Sequence, residues 1–290
     1  MKNRRALIGL IYVAPAIAFV AAFVVYPIIE LVRMSLTSLS MLGGGEFVGF
    51  KNYLKAANDG TFWRALGFTG LYTLFITPVL IVGGFGLALL AAERSVLAKI
   101  TRAIVFMPVI IGLGSSSLIW VWLFNEQVGL VNKLLVDIGL IRQPIVWFAD
   151  GTLGLWAVIV SIVWKVIGYG MLLMLAGIQS LGSDIYEAAT MDGAGYWRRV
   201  FHVTLPLTAR TIALTTLVSV IGSMLAFDQF YIMTGGAPNG STFTAVYWIY
   251  QNSFIYFKLG YGAALSIILM FIIAAVSGLH IYLVRRGAGP

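Results

Sequence analysis

Apolar residues in this chain gather into six long stretches, at about residues 7–32, 68–92, 103–124, 153–178, 211–233 and 259–284, with the polar residues concentrated between them. Each stretch meets or exceeds the roughly 20 residues that a helix needs to cross the hydrocarbon core. None alternates in polarity as the strands of a membrane barrel do. The pattern predicts an all-α integral membrane protein with six transmembrane helices, forming one domain over residues 1–290. Pro78, Pro108 and the cluster Gly83-Gly84-Phe85-Gly86 fall inside these stretches, where such residues permit kinks and close helix packing. Lys2-Asn3-Arg4-Arg5 precedes the first stretch in the manner of a signal peptide. The run that follows is much longer than the 7–15 apolar residues of a cleaved leader, so an uncleaved first span is expected.

Composition and charge add the class and an orientation. Of 290 residues, 60% are apolar and 10% charged, with a mean hydropathy of +0.95, against about 25% charged in a soluble domain. Disorder is excluded by the same numbers, and a disulfide scaffold by the absence of cysteine. A net charge of +8 at this hydropathy points to topology and anionic headgroups and not to nucleic acid. Eleven of the 19 cations lie on one side of a six-span layout: Lys2, Arg4, Arg5, Arg94, Lys99, Arg102, Arg198, Arg199, Arg210, Arg285 and Arg286. The positive-inside rule then places both termini in the cytosol, with loops near 34–67, 125–152 and 234–258 facing outward. Phe62, Trp63, Trp122, Trp147, Phe148, Trp248 and Tyr256 lie near the ends of those outer loops. They suit an interfacial aromatic belt or faces on which a sugar ring stacks.

Little in the chain suggests catalysis. It has no Gly-Lys dipeptide and hence no P-loop, and its two histidines, His202 and His280, stand apart from any carboxylate cluster. Gly114-Ser115-Ser116-Ser117 has no histidine placed to activate a serine and suits packing between helices. No catalytic residue, metal site or cofactor is expected on this chain.

The segment between the fourth and fifth stretches, residues 183–206, carries the most information. It opens Ser183-Asp184-Ile185-Tyr186-Glu187-Ala188-Ala189-Thr190-Met191-Asp192-Gly193-Ala194. Ser183 is placed to cap a helix, with Asp184 in its first turn. Ile185, Ala188, Ala189 and Asp192 share one face, and Gly193 is suited to end the helix. A second short helix is expected through Tyr196-Trp197-Arg198-Arg199-Val200-Phe201, before Leu205-Pro206 leads into the fifth span. A helix–turn–helix at the inner membrane face suits docking to a soluble partner.

Those residues resemble a known family. Glu187-Ala188-Ala189, Asp192-Gly193-Ala194, Phe201, Val203 and Leu205-Pro206 are similar to the EAA loop of permease subunits of binding-protein-dependent ABC importers. Phe227-Asp228-Gln229-Phe230-Tyr231-Ile232-Met233-Thr234-Gly235-Gly236-Ala237-Pro238, followed by Phe257 and Leu259-Gly260-Tyr261-Gly262-Ala263-Ala264, resembles the corresponding region of carbohydrate permeases. Pro27, Ser35-Leu36-Thr37, Phe47-Val48-Gly49-Phe50, Asn52-Tyr53 and Phe62-Trp63-Arg64-Ala65-Leu66 are similar to the first, MalF/UgpA-like permease type. Ala237 departs from the family's glycine, and Arg210 stands where a second proline is common.

The resemblance implies a type I ABC importer (MetI/MalF-like) fold in a bacterial or archaeal cytoplasmic membrane, and import by alternating access. It implies a second homologous permease subunit, two cytosolic ABC ATPase subunits that hold ATP and Mg, and an extracytoplasmic solute-binding protein. Glu187, Ala188, Ala189, Asp192 and Gly193 would form the helix that couples to the ATPase. The solute would be a sugar, oligosaccharide, polyol, sugar derivative or glycerophosphodiester, on a path including Trp164, Lys165, Gly168, Tyr169, Ser223, Phe227 and Asp228. Lys165 and Asp228, the two charges inside spans, suit either a structural brace or the wall of that path. A secondary transporter is the competing class, although no internal repeat or cluster of buried carboxylates supports it.

Overall fold

The computed structural model describes residues 12–93 and 95–287, and all its regular elements are helical. Lys2, Arg4, Arg5, Arg94 and the first residues of the 7–32 stretch lie outside the described residues. Four helices are long and apolar enough to cross a membrane: Tyr12–Ser35, Gly60–Ala92, Gly151–Gln179 and Leu259–Arg286. Two bent pairs, Val96–Ile110 with Leu113–Leu123 and Tyr196–Leu207 with Ala209–Met224, bring the number to six if each is one crossing.

Two of the expected stretches are not continuous helices. The 103–124 stretch turns by 100° at Ile111 and Gly112. Pro108 removes one rung of the ladder, and Ile111 leaves the helix with extended backbone at ψ 135°. The 211–233 stretch stops at Met224, and a separate turn follows at Phe230–Thr234. Thr244 donates to the Ala226 carbonyl at 2.7 Å across that gap, so a buried hydroxyl replaces the missing helical bond.

Contacts divide the chain into two units, one formed by the chain up to Phe62 with Trp248–Ile272, the other by Trp63–Tyr247 with the chain from Ile273. In the first unit, Tyr12–Ser35 buries none of its apolar window within the chain. Asp59 ties the rest together. Its Oδ1 accepts from the amides of Thr61 and Phe62 at 3.0 and 3.1 Å, at the start of helix Gly60–Ala92. Its Oδ2 accepts from Trp248 Nε1 at 2.9 Å and Tyr261 Oη at 2.7 Å. Below it pack Ala56, Phe62, Tyr261 and Leu265. Phe62, Trp248 and Trp147 are thus internal packing residues, Trp147 donating to buried Asn132 at 3.1 Å. Trp63 and Trp122 stay exposed, as a belt would require.

Burial alone would raise the Asp59 carboxyl, but the bonds from Tyr261, Trp248, Phe62 and Thr61 outweigh it and hold the group below the ordinary carboxylate value. A depressed folded-state value stabilises the fold above the ordinary value, and that contribution fades as pH falls toward the depressed one. Asp59→Ala should therefore cost about 2–4 kcal/mol through the lost cap and charge-assisted bonds. Thermal unfolding in detergent at neutral pH checks this, and an unchanged midpoint would refute the role given to Asp59.

In the second unit, Gly151–Gln179 is the central helix, with 56% of its apolar window buried, more than any other span. Asp150 caps it, accepting from the amides of Thr152 and Leu153 at 2.8 and 3.0 Å. Its glycines let neighbours approach closely. Gly168 meets the backbone of Val105, while Gly177 meets Thr211. Ala88 and Ala91 pack against Met171, Met174, Leu175 and Ile178. Arg102 closes the end of helix Gly60–Ala92 by donating to the carbonyls of Ala91 and Glu93, where a cation also suits the helix dipole.

Candidate functional site

Residues 183–207 fold into a helical hairpin. Its first helix, Ser183–Met191, is capped at Gly182 and not at Ser183. Gly182 is the residue with extended backbone, at φ −64° and ψ 147°, so Ser183 falls inside the first turn with its hydroxyl 3.3 Å from the Asp184 carboxylate. The other end follows the glycine expectation. Gly193 adopts φ +72°, and two bonds close the turn: Gly193 N to Thr190 O at 3.0 Å and Ala194 N to Ala189 O at 2.9 Å. Those bonds satisfy carbonyls that a helix end leaves free. A Cβ at Gly193 would meet nothing within 4 Å. The demand on this position is conformational and not steric.

The second arm, Tyr196–Leu207, is tied to the first by hydroxyls. Tyr186 Oη lies 3.1 Å from Thr204 Oγ1, and Arg199 Nη1 donates to Thr190 Oγ1 at 3.1 Å. These four residues hold the hairpin's angle, and the sequence reading did not single them out. Their signal is the i, i+4 spacing of Tyr186 and Thr190, away from the face shared by Ile185, Ala188, Ala189 and Asp192. Behind the hairpin is an open cavity of about 840 Å³, lined partly by Lys99, Arg102, Tyr186 and Arg199.

The first helix buries none of its residues. Glu187, Ala188, Asp192 and Gly193 are exposed and Ala189 is half-buried. Neither the Glu187 nor the Asp192 carboxylate has a hydrogen bond or ion pair among the described residues. Met191 is 90% exposed, and on the second arm Trp197 and Phe201, stacked on each other at 6.0 Å, are also exposed. Free carboxylates and a bare thioether on a helix with small residues, with bare aromatic rings on the following arm, form a surface suited to a protein partner.

The seven path candidates divide into two groups. Tyr169, Ser223, Phe227 and Asp228 line a cavity of about 240 Å³ together with Tyr72, Ser219, Gly222 and Gln229. Ser223 Oγ lies within hydrogen-bond distance of both Thr73 Oγ1 at 3.0 Å and the Val220 carbonyl at 2.9 Å. Phe227 stacks on Tyr231 at 5.2 Å and meets Tyr247 edge-on. Trp164, Lys165 and Gly168 do not line this cavity. Trp164 meets Trp120 edge-on at 5.7 Å, and Gly168 abuts Val105. Lys165 Nζ donates to the Val109 carbonyl at 2.8 Å, just before the 100° break. Among the described residues Lys165 and Asp228 form no ion pair; the lysine donates instead to a carbonyl on the broken pair. Tyr72, Ser219 and Gln229 are additional polar groups of the cavity.

The first group offers aromatic faces, hydroxyls, an amide and one carboxylate around a small space, the chemistry that holds a polyhydroxylated solute. The second group is a helix crossing.

Comparison with known proteins places the chain. The family model for the binding-protein-dependent transport system inner membrane component matches residues 54–288. The chain is 35% identical over 281 residues to the sulfoquinovosyl glycerol transport system permease protein of Agrobacterium fabrum, covering 96% of this chain and 91% of the relative. It is 33% identical to the lactose transport system permease protein of Rhizobium radiobacter, covering 96% and 94% of the two chains. Its fold is similar to that of a chain in the crystal structure of a bacterial ABC transporter involved in import of the acidic polysaccharide alginate. The TM-score is 0.84 at 21% identity, over 99% of this chain and 98% of the other. The chain therefore belongs to the family of inner membrane components of binding-protein-dependent transport systems, and is a multi-pass permease subunit.

Proposed function

We propose that the chain forms one half of the translocation path of an ATP-driven importer for a carbohydrate or closely related solute. Its relatives are permeases for sulfoquinovosyl glycerol and lactose, and a similar fold occurs in a transporter studied with a saccharide-bound periplasmic protein. The helix Ser183–Met191 is the element that couples to a cytosolic ATPase. The observation that carries this reading is a stiff helix stopped at Gly193, with Glu187 and Asp192 unspent and no residue buried. Only a docked, rigid element transmits a rigid-body motion. Glu187, Ala188, Ala189, Asp192 and Gly193 form the contact, while Tyr186, Thr190, Arg199 and Thr204 fix its angle.

Tyr169, Ser223, Phe227 and Asp228 face the solute in this scheme, and Trp164, Lys165 and Gly168 hold the broken helix pair beside it. A second permease completes the path, and an extracytoplasmic binding protein delivers solute to it. ATP and Mg belong to the ATPase subunits, and this chain carries no step of hydrolysis.

The test is uptake and co-purification with Glu187→Lys, which leaves the fold intact because the side chain is exposed and has no partner within the described chain. ATP-dependent uptake should fall at least about tenfold, the effect of losing roughly 1.4 kcal/mol or more of docking energy. The ATPase subunit should be lost in parallel on purification. Uptake equal to wild type would remove the coupling assignment.

A further inference from the structure

Helix Ala209–Met224 begins beside the end of helix Leu259–Gly287. The two are joined where His280 Nε2 lies 3.0 Å from the Ala213 carbonyl. Next to this junction is a groove of about 390 Å³, lined by Arg210, Leu214, Leu217, Ile281, Val284 and Arg285 among others. Arg210, Leu214 and Leu217 recur on one helix face, as do Ile281, Val284 and Arg285 on the other. Starting from the junction, both arginines lie toward the same end, about 4–8 Å away at 1.5 Å per residue, and Leu217 lies toward the other. The groove is cationic at one end and aliphatic along its floor.

Neither the Arg210 nor the Arg285 guanidinium has a hydrogen bond or ion pair among the described residues, whereas that of Arg286 lies over the Tyr282 ring at 4.6 Å. Among the described residues, no carboxylate lines the groove. Arg210 immediately precedes one apolar run and Arg285 immediately follows another, so both lie at the level of lipid phosphates.

We infer that this groove is a binding site for one anionic glycerophospholipid. Its phosphate sits between Arg210 and Arg285, and an acyl chain runs over Leu214, Leu217 and Ile281. The two guanidiniums select an anionic headgroup over a zwitterionic one, because no acid among the described residues of the groove is available to meet a choline or an ammonium. The inference does not depend on the coupling role of residues 183–193, and either can fail alone.

The full-length chain, purified in mild detergent with the subunits that accompany it, is delipidated and titrated with phosphatidylglycerol or phosphatidylcholine. Bound lipids are counted by native mass spectrometry. One tightly retained phosphatidylglycerol per chain is expected, displaced neither by phosphatidylcholine nor by excess inorganic phosphate. Arg210→Gln and Arg285→Gln should each weaken retention about fivefold, the effect of one cation near an anionic surface. Arg142→Gln, outside the groove, should leave it unchanged. Leu217→Phe keeps both arginines and fills the floor, and it should also expel the lipid. Equal retention by the two arginine variants and wild type overturns the inference, as does equal retention of phosphatidylcholine. Displacement by inorganic phosphate would show a simple anion site instead. A cross-link from Leu217→Cys to an accompanying subunit would show that a protein helix fills the groove.

Discussion

Gly193→Val is expected to abolish solute uptake while leaving the amount of chain in the membrane unchanged. At φ +72° the backbone is in the left-handed region, where an L side chain costs about 1–2 kcal/mol and a β-branched one more. Relaxing that strain rotates the peptide out of the turn. Both closing bonds, from Gly193 to Thr190 and from Ala194 to Ala189, are then lost, and the last helical turn frays. That turn carries Ala189 and Thr190, and through Thr190 the link to Arg199. The fold as a whole should not notice, because this helix buries no residue. Gly193→Asn, which tolerates left-handed backbone, should retain most of the uptake. Uptake of labelled solute and immunodetection of membrane-bound chain separate the two effects. Normal uptake by the valine variant would show that the turn is not needed.

Gly168→Ala should have the opposite signature, a loss of the folded chain itself. A Cβ at Gly168 would stand 2.2 Å from the Val105 oxygen, 2.9 Å from its carbon and 3.0 Å from Phe106 Cα. All three are backbone atoms, and no rotamer change relieves the clash. Helix Val96–Ile110 must move away from Gly151–Gln179, at about 1–3 kcal/mol for overpacking. The Val109 carbonyl moves with it and leaves the buried Lys165 ammonium without its acceptor, a further loss of about 1–3 kcal/mol. At 2–4 °C per kcal/mol for a chain of this size, a fall of about 10 °C in the unfolding midpoint is expected. Gly222→Ala is the control, since a Cβ there meets nothing within 4 Å. A midpoint for Gly168→Ala within a degree or two of wild type would show that the crossing can relax.

The two glycines show where the sequence could be read and where it could not. Gly193 was legible because its role is local: a polar helix, a glycine and an Asp-Gly step define a helix end without reference to the rest of the chain. Span existence was legible for a similar reason, since length and hydropathy are properties of the segment alone. The resemblance puts Gly168 on a solute path, and i, i+4 spacing puts it on one face with Trp164. Spacing says which residues share a face and not what that face meets. In the structure it meets Val105 and Trp120, while Tyr169, one residue away, faces the cavity.

The 100° break was hidden for a different reason. Residues on both sides of Gly112 are equally apolar, and Pro108 inside a membrane stretch is as compatible with a kink as with a reversal. What decides it is Lys165, 56 residues further along the chain, whose ammonium takes the Val109 carbonyl near the end of Val96–Ile110. The Asp59 hub was missed likewise, because Trp248 and Tyr261 are remote in sequence and its own neighbourhood reads as an ordinary turn.

The bareness of helix Ser183–Met191 has a consequence for how this segment varies. A helix that buries nothing in its own chain contributes little to that chain's stability, so substitutions on its outer face are nearly invisible to folding. Selection can act on Glu187, Ala188 and Met191 only through whatever surface lies against them. Mutational tolerance here therefore maps the footprint of a neighbour and not the architecture of the subunit, and a variant that changes its neighbour can be rescued by a matching change in that neighbour.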